Sequence, residues 1–416
     1  MLTVDEALAR VLAHAAPLDA VRVPLLDALG LVLGEAVCAD VDSPPFDNSA
    51  VDGYAVRAAD VQAASPGAPV DLVLVEEVHA GTWPARDVGP GACAKVMTGA
   101  PIPRGADAMV MREDAREQAG RVAVLAPARP GDHVRRAGED IRRGEEVLPA
   151  GTRIGPAETA VLAAMGAAKP LCIRPPRVAV VSTGDEVCPI EEQPGPGRLR
   201  NSNLHALAAL VREAGARIHS LRHLRDDEAE TEAAFRACAG LEGGEPADVI
   251  VTSGGVSVGD RDFVKPVLER LGSLALWRVK LKPGKPLAFG QIGSALFFGL
   301  PGNPVSTMVT FELFVRPALW RLMGRSDLAR PRALAVLQAP LPHTPGRQEF
   351  ARARVRLTEG ALLAWPTGAQ GSGMLRSLLG ANALLSVPAD AGSLLPGDMV
   401  EALLLDLPCT RGASSA

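Results

Sequence analysis

The sequence is poor in aromatic residues and carries little net charge. Phe, Trp and Tyr make up 3% of the 416 residues, so its cores must be filled by Ala, Val and Leu. Hydrophobic residues (47%) are frequent enough for several cores, and the length predicts two to four domains. Lys and Arg number 43 against 48 Asp and Glu, a net charge of −5. Because neutralising phosphates requires a basic excess, this balance argues against a broad nucleic-acid binder.

Long apolar runs and paired cysteines are also missing. No run approaches the roughly 18 apolar residues that span a bilayer, which predicts no membrane segment. The first residues, Met1–Glu6, are acidic and lack the basic and apolar regions of a signal peptide. The six cysteines are scattered without a Cys-x-x-Cys pair, so we expect neither a disulfide framework nor a zinc site. Together these absences predict a cytoplasmic protein with reduced thiols.

Two nucleotide-binding motifs are absent. The sequence contains neither Gly-x-x-x-x-Gly-Lys-Ser/Thr nor Gly-x-Gly-x-x-Gly, which argues against a P-loop kinase and a dinucleotide-dependent enzyme. The seven histidines form no cluster. We interpret His205 and His223, each alone in a predicted helix or strand, as structural.

The periodicity of apolar residues divides the chain into helical and strand-rich parts. The segment Thr3–Glu6 has the spacing of a helix capping box. Residues 51–139 and 333–407 contain short strand-like runs between Gly/Pro turns. Strands alternate with helices over residues 177–323, which predicts a parallel sheet covered on both faces and a last, long helix over Asn303–Met323. The predicted fold class is α/β multidomain.

Three polar, glycine-rich loops follow strands of the α/β region: Ser182–Glu186, Thr252–Asp262 and Gly299–Ser306. In open α/β sheets, ligands bind beyond the carboxyl ends of the strands. Glycines let backbone N–H groups approach an oxyanion closely. A turn that requires glycine explains any single loop, but three loops in one sheet predict a bound anion, most simply a phosphate.

Charged side chains in and near these loops indicate further chemistry. The carboxylates are Asp185, Glu186, Asp260 and Asp262, and the lysines are Lys280, Lys282 and Lys285, around Pro283 and Gly284. Hard carboxylate oxygens suit Mg²⁺ shared with substrate phosphates, whereas helix capping explains any single one equally well. The lysines either hold an anion or form a solvated basic turn.

A dense polar segment over residues 47–55 contains the only tyrosine, Tyr54. Asx turns explain Asp47 and Asn48. They do not explain Asp52–Tyr54, which we interpret as a segment that reaches a neighbouring active site.

Nine motifs follow one another along the chain: Pro45–Ala55, Thr98–Pro103, Arg136–Ile141, Ser182–Val187, Asn201–Asn203, Ser253–Asp262, Lys282–Pro286, Leu300–Ser306 and Gln370–Gly373. In this order they resemble the molybdenum insertases, the family of MoeA and of the gephyrin E domain. The resemblance runs from about residue 3 to residue 405, and no charged motif position departs from the family pattern. So many ordered motifs make it highly specific.

The resemblance implies a cytoplasmic, elongated homodimer whose subunits have four domains. The implied domains are an elongated, discontinuous α+β dimerisation domain (1–43 and 140–174), an inserted β-rich domain (44–139), an α/β molybdopterin-binding domain with a parallel-rich sheet (175–326) and a C-terminal β-barrel-like domain (327–410). The active cleft would lie between the α/β domain and the second domain of the partner subunit.

The resemblance also implies a reaction. Adenylylated molybdopterin and molybdate would give the molybdenum cofactor and AMP, with Mg²⁺ as cofactor. Positioning and charge stabilisation, not covalent catalysis, would supply the rate. The expected partners are a second copy of the chain and, transiently, the molybdopterin adenylyltransferase and the recipient molybdoenzymes; neither a nucleic acid nor a membrane is expected.

Carried over position by position, the resemblance assigns roles to three sets of residues. The catalytic set is Asp52, Asp140, Glu186, Asp226, Asp262, Lys280 and Lys285. The set that binds the pterin phosphate and molybdate is Thr98, Ser182, Thr183, Gly184, Asp185, Ser253, Gly254, Gly255, Ser257, Lys282, Pro301, Gly302, Asn303, Pro304 and Ser306. The metal set is Glu186, Asp260 and Asp262. Of all these, Asp52 would reach across the dimer.

Other functions stay open at this stage. Adenylylation of molybdopterin uses the same α/β unit, although the extra β domains and the Asp52 segment belong to the insertase pattern. A receptor-clustering scaffold such as gephyrin is expected to carry a long Pro/Ser-rich linker or an added partner domain, and the sequence contains neither. Tungstate is an alternative to molybdate, because the two oxyanions differ little in size and charge.

Overall fold

The computed structural model describes residues 1–256 and 262–408, and the chain divides into two compact units. The first unit contains Met1–Val23, Gly30–Gly34 and Leu171–Ala416, and the second contains Pro24–Leu29 and Glu35–Pro170. The four domain boundaries expected from the sequence stay a prediction. The helices of the described ranges are all too short or too polar to span a bilayer.

The first unit begins with helix α1 (Val4–Leu12), which is capped as predicted. The Thr3 hydroxyl accepts a hydrogen bond from the Glu6 N–H (3.3 Å), and the Thr3 N–H donates to the Glu6 carboxylate (2.8 Å). Val4 and Val11 on its inner face are buried in the core beneath the central sheet. A small sheet follows, made of Ala20–Arg22, Val32–Leu33 and Leu171–Ile173.

The central sheet of the first unit has six strands. These are β1 (Arg177–Thr183), β2 (Arg217–Leu224), β3 (Val249–Ser253), β4 (Ser273–Trp277), β5 (Ala288–Ile292) and β6 (Ala295–Leu300). Their order is β2-β1-β3-β6-β5-β4; the first three pairings are parallel, and the last two are antiparallel. The sheet is therefore parallel-rich, as predicted. The direction reverses at β5 because only a tight turn containing Gly293 joins β5 to β6.

Helices cover both faces of this sheet. Their bounds are α2 (Ser202–Glu213), α3 (Glu228–Cys238), α4 (Val264–Leu271) and α5 (Pro304–Thr310). Along β1, Val178 and Val180 face the core that contains α2, whereas Ala179 and Val181 face the core that contains α3 and α4. Successive side chains of a strand point to opposite faces, which explains why β1 is buried on both sides.

The long helix predicted over Asn303–Met323 is confirmed, but it is not regular throughout. After α5 the structure has a π-helical turn, Phe311–Val315, and then a further helix, Arg316–Leu322. Pro317 has no N–H, and its ring crowds the carbonyl four residues before it. The backbone therefore widens into a π turn just before this proline.

A closed β-barrel follows near the end of the chain, as predicted. Its strands are Arg332–Leu337, Gln348–Thr358, Ala361–Pro366, Ala383–Val387 and Met399–Leu404, with a 3₁₀ turn at Leu375–Leu378. The barrel closes because Gln348–Thr358 pairs with both Ala361–Pro366 and Ala383–Val387. The short strand Leu281–Lys282 adds to it in parallel, with Lys282 opposite Glu349.

The second unit is built on a mixed six-stranded sheet. In spatial order its strands are Ala108–Met111, Gly53–Val56, Ala92–Val96, Val70–Val78, Arg121–Val124 and Ala115–Gln118. Two small apolar clusters pack on it. The remaining helical elements and strands of the second unit are Leu25–Ala28, Val37–Cys38, Asn48–Ser49, Ala58–Val61, Arg112–Asp114, Val134–Arg135, Glu146–Leu148 and Pro156–Ala164. The β-rich character expected for residues 51–139 is confirmed.

Candidate functional site

The three predicted loops meet at the carboxyl ends of β1, β3 and β6. The register aligns these ends, because Ser182 lies opposite Ser253 and Ser253 lies opposite Leu300. Beyond them is a cavity of about 580 Å³. The predicted site residues that line it are Ser182, Thr183, Gly184, Glu186, Asp226, Ser253, Gly254, Gly255, Asp262, Pro301, Gly302, Asn303 and Pro304.

Two glycines allow the loops to approach each other closely. Gly254 has a φ of +99°, and a Cβ there would lie 2.7 Å from the Thr183 hydroxyl oxygen. Gly184 has a φ of +141°, and a Cβ there would lie 2.6 Å from the Glu186 carboxylate. Both conformations are ones that residues with a Cβ rarely adopt. The glycines therefore bring hydroxyl, carboxylate and backbone groups together at the cavity wall.

A hydrogen-bond network ties the second and third loops together. The Asn203 amide donates to the Ser253 hydroxyl (2.8 Å) and to the Gly302 carbonyl (2.6 Å). The hydroxyls of Ser253 and Thr307 both donate to the Pro301 carbonyl (3.2 and 2.6 Å). Asn203 and Thr307 were not predicted as site residues. The only sequence signal for Asn203 is its place in the motif Asn201–Asn203, and Thr307 carries none.

Ser372, between two barrel strands, forms two hydrogen bonds with the third loop. The Asn303 amide donates to the Ser372 hydroxyl (3.1 Å), and the Val305 N–H donates to the Ser372 carbonyl (3.1 Å). The motif Gln370–Gly373 therefore supports the third loop. Ser306, a predicted ligand, is buried and lies outside the cavity lining.

Of the residues that the structure describes, three with carboxylates line the cavity: Glu186, Asp226 and Asp262. Asp226 also fixes Asp185, since each accepts a hydrogen bond from the backbone N–H of the other (3.2 and 3.3 Å). Within residues 1–256 and 262–408, no three His, Cys, Asp or Glu side chains cluster closely enough to form a metal site alone. The predicted ligands Asp260 and Ser257 lie outside these residues.

The donor set nonetheless suits Mg²⁺. This ion is usually held by one or two carboxylates, and substrate phosphates and water complete its shell. Glu186 and Asp262 can supply the carboxylates from this cavity. Two buried polar atoms in the wall, Thr183 Oγ1 and Asn203 Oδ1, have no hydrogen-bond partner among the described residues. Because such atoms are costly to leave unsatisfied, they indicate a polar ligand.

The predicted lysines do not gather at this cavity. The Lys282 ammonium forms an ion pair with the buried Glu349 (2.9 Å), whose carboxylate also bonds His343 Nδ1 (2.7 Å). Lys280 borders a different cavity, together with Arg332. Lys285 is exposed next to Pro286, which lines the first cavity. The pairing of Leu281–Lys282 with the barrel explains this arrangement, because it places Lys282 on Glu349.

The other predicted residues belong to the second unit. Asp52 is exposed, and its carboxylate accepts hydrogen bonds from the Thr98 N–H and hydroxyl (both 2.7 Å). These bonds hold the pKa of Asp52 below its usual value. Asp140 is exposed, and its N–H donates to the Ser43 carbonyl. The structure thus brings together two predicted residues, Asp52 and Thr98.

Tyr54 does not extend towards an active site, contrary to the interpretation of the segment Asp52–Tyr54. It is buried in the strand Gly53–Val56, and its hydroxyl donates to Glu117 (2.9 Å). Burial and the Glu117 carboxylate raise the pKa of Tyr54 to about 12. Within the segment Asp52–Tyr54, Gly53 and Tyr54 are buried, and Asp52 has an exposed side chain.

Comparison with known proteins identifies the domains. Family models match for the MoeA N-terminal region (domain I and II) over residues 2–166, a probable molybdopterin binding domain over 179–321 and the MoeA C-terminal region (domain IV) over 334–405. Molybdopterin molybdenumtransferase 2 of Mycobacterium tuberculosis is 38% identical over 390 residues, which cover 92% of this chain and 94% of the relative. The molybdopterin molybdenumtransferase of Bacillus subtilis is 36% identical over 409 residues (97% and 94%).

A solved structure gives the same result. The molybdopterin biosynthesis MoeA protein of Pyrococcus horikoshii matches with a TM-score of 0.84 at 34% identity, covering 98% of this chain and 99% of that one. Fold and site together define a multidomain protein built around an α/β domain with a loop-lined cavity, and the relatives of this chain are named as transferases. The chain belongs to the molybdopterin molybdenumtransferase (MoeA) family and has a role in molybdenum cofactor biosynthesis.

Proposed function

We propose that the protein inserts molybdate into adenylylated molybdopterin in the cytoplasm, giving the molybdenum cofactor and AMP. The observation that carries the proposal is the convergence of three glycine-rich loops on one cavity that also contains the carboxylates of Glu186, Asp226 and Asp262. Such a cavity offers donors for phosphate and ligands for a divalent cation. The name of the relatives, molybdopterin molybdenumtransferase, supports molybdopterin as the substrate.

Two wall atoms without a hydrogen-bond partner among the described residues, Thr183 Oγ1 and Asn203 Oδ1, would orient the substrate. The Thr183 hydroxyl donates to a phosphate oxygen, together with backbone N–H groups around Gly255 and Gly302. The Asn203 carbonyl oxygen accepts from an N–H or amino group of the pterin, because its amide nitrogen is already engaged with Ser253. These contacts hold the phosphoanhydride near Glu186 and Asp262. Positioning of this kind supplies a large part of the rate in phosphoryl chemistry.

Charge stabilisation completes the mechanism. Glu186 and Asp262, with Asp260 as a third predicted ligand, would hold Mg²⁺, which would supply positive charge to polarise the phosphoanhydride. The exposed Lys285, which adjoins the cavity-lining Pro286, would bind molybdate, a dianion. Lys282 is less suited to this role because Glu349 already neutralises its charge. Transient contacts with the molybdopterin adenylyltransferase and with recipient molybdoenzymes belong to this proposal.

AMP release tests the proposed reaction. Adenylylated molybdopterin is expected to yield AMP in the presence of molybdate. Without an oxyanion, the rate of AMP release is expected to be at least about tenfold lower, because the second substrate of the reaction is missing. A parallel reaction with tungstate decides between the two oxyanions. Incubation with ATP and free molybdopterin is the control: formation of adenylylated molybdopterin there, without oxyanion-dependent AMP release, would identify an adenylyltransferase instead.

Removal of divalent cations is expected to lower AMP release at least about tenfold, because the phosphoanhydride charge would no longer be neutralised. The measurement compares rates in excess chelator with rates after Mg²⁺ is added back. A rate that stays constant in chelator would remove Mg²⁺ from the mechanism.

The Asp52 segment predicts that the active protein is a homodimer in which Asp52 completes the partner subunit's site. Asp52→Asn and Glu186→Gln are each expected to be inactive. After subunit exchange, a mixture of the two is expected to regain about a quarter of the wild-type activity, because half of the dimers are mixed and each contains one intact site. A monomer in sedimentation with full activity, or no recovery in the mixture, would contradict this prediction.

A further inference from the structure

Ser182 in the cavity wall is held by two side chains that have no assigned role. Its hydroxyl oxygen lies 2.7 Å from Asn201 Nδ2 and 3.1 Å from His223 Nδ1. Ser182 is 3% exposed and lines the cavity. The parallel register of β1 and β2 places Ser182 directly opposite His223, so the contact is built into the sheet.

The hydrogen bonds of Asn201 determine which way its amide faces. Its Oδ1 accepts from the Leu204 N–H (3.1 Å) as the N-cap of α2, so its Nδ2 faces Ser182 and donates. The Ser182 oxygen therefore already accepts one hydrogen bond. The serine hydrogen has two remaining directions, towards His223 Nδ1 or into the cavity.

We propose that His223 is a positioning residue that turns the Ser182 hydroxyl towards the anionic ligand of the cavity. With a hydrogen on Nδ1, His223 donates to the Ser182 oxygen, which then accepts from both neighbours and directs its own hydrogen into the cavity. Without that hydrogen, Nδ1 is an acceptor that faces the Ser182 hydroxyl (3.1 Å) and, at longer range, Asn201 Nδ2 (3.5 Å), and it competes for the serine proton. An anion requires donors and so selects the form of His223 that carries a hydrogen on Nδ1.

The position of His223 allows its ring hydrogen to lie on either nitrogen. It is exposed on β2, which is the edge strand of the sheet, so solvent can serve the other ring nitrogen. His219 lies four residues earlier on the same strand, and its Nε2 contacts the Glu245 carbonyl (2.9 Å). His219 does not line the cavity and provides a matched control. The identity of the ligand, a molybdopterin phosphate, rests on the proposed function.

A double-mutant cycle tests whether His223 acts through Ser182. Molybdopterin binding is measured by calorimetric titration for wild type, Ser182→Ala, His223→Leu and the double variant. Each single change is expected to raise Kd roughly threefold to tenfold, the effect of one hydrogen bond. The double variant is expected to bind no more weakly than Ser182→Ala alone. His223→Asn, which retains a donor near the Nδ1 position, and His219→Leu are expected to bind within about twofold of wild type.

Wild-type binding by His223→Leu would overturn the proposal, and so would a loss that persists in the Ser182→Ala background. Nitrogen NMR of the His223 ring gives a second readout: addition of molybdopterin or of inorganic phosphate is expected to place the ring hydrogen on Nδ1, with His219 unchanged. An Nδ1 that stays unprotonated overturns the proposal. A response to inorganic phosphate but not to molybdopterin would contradict the proposed function alone. A response to neither would overturn the role of His223, and the AMP-release assay would still decide the proposed function.

Discussion

Gly254→Ala is expected to lower kcat/KM for AMP release by about 100-fold or more. Gly254 has a φ of +99°, and a Cβ would lie 2.7 Å from the Thr183 hydroxyl oxygen and 2.8 Å from the Thr183 carbonyl oxygen. Two cavity loops must therefore separate. Because a displacement of about 1 Å in a positioned site costs on the order of 100-fold in rate, the loss falls on catalysis.

Gly244→Ala is the matched control for this change. Gly244 has nearly the same φ, +98°, but a Cβ there meets nothing within 4 Å, and the residue does not line the cavity. Gly244→Ala is expected to lose about 1–2 kcal/mol of stability because it forces a Cβ into a conformation with positive φ. Gly254→Ala is expected to lose this and, in addition, the cost of separating the two loops. Only Gly254→Ala is expected to lose activity. Equal rates for the two variants would show that loop contact at Gly254 does not matter.

Asp248→Asn is expected to lower the free energy of unfolding of the first unit by about 3 kcal/mol at pH 7. The Asp248 carboxylate, 11% exposed, accepts two hydrogen bonds from the Arg174 guanidinium (both 2.7 Å) and one from the Arg177 N–H (2.8 Å). It thereby joins the starts of β1 and β3. Removing one partner of a buried ion pair leaves the other charge uncompensated, which accounts for the size of the effect. Chemical denaturation measures it.

The effect of Asp248 is expected to depend on pH. Burial alone would raise the pKa of Asp248, but the hydrogen bonds and charges of Arg174 and Arg177 outweigh it and hold the pKa below the ordinary 3.8. A carboxyl group with a lowered pKa stabilises the folded state above its ordinary pKa, and this stabilisation is lost as the pH falls through the lowered value. The difference between wild type and Asp248→Asn is therefore expected to be constant from pH 7 to pH 5 and to shrink below about pH 4.

Glu245→Gln is the control for the Asp248 experiment. Glu245 contacts the same Arg177, but its side chain is 75% exposed. Solvent screens such a pair, so the variant is expected to change the free energy of unfolding by less than about 0.5 kcal/mol. A loss as large as that of Asp248→Asn, or a difference that does not change with pH, would contradict the role assigned to Asp248.

The loops of the candidate site could be predicted from sequence because their chemistry is local. Glycine beside serine or threonine after an apolar strand, as in Ser253–Gly255, is a pattern that needs no knowledge of distant residues. Parallel strands then bring their carboxyl ends to one edge of a sheet, so the convergence of Ser182, Ser253 and Leu300 follows from the alternation of strands and helices. The cavity at that edge agrees with this reasoning.

The partners of charged groups could not be predicted in the same way. Lys282 and Glu349 are 67 residues apart, and only the pairing of Leu281–Lys282 with a barrel strand brings them together. Tyr54 stands in a polar segment of the sequence, but strand pairing on both sides of Gly53–Val56 buries it. Both outcomes depend on contacts between segments far apart in sequence.

By itself, the sequence determined the alternation of strands and helices, the capped first helix and the three glycine-rich loops, because apolar periodicity, capping and turn formation act over a few residues. Only the tertiary structure decided that Glu349 neutralises Lys282, that the helix before Pro317 widens into a π turn, and that His223 lies against Ser182 in the cavity wall. Each of these depends on packing, strand register or burial, which are properties of the folded chain.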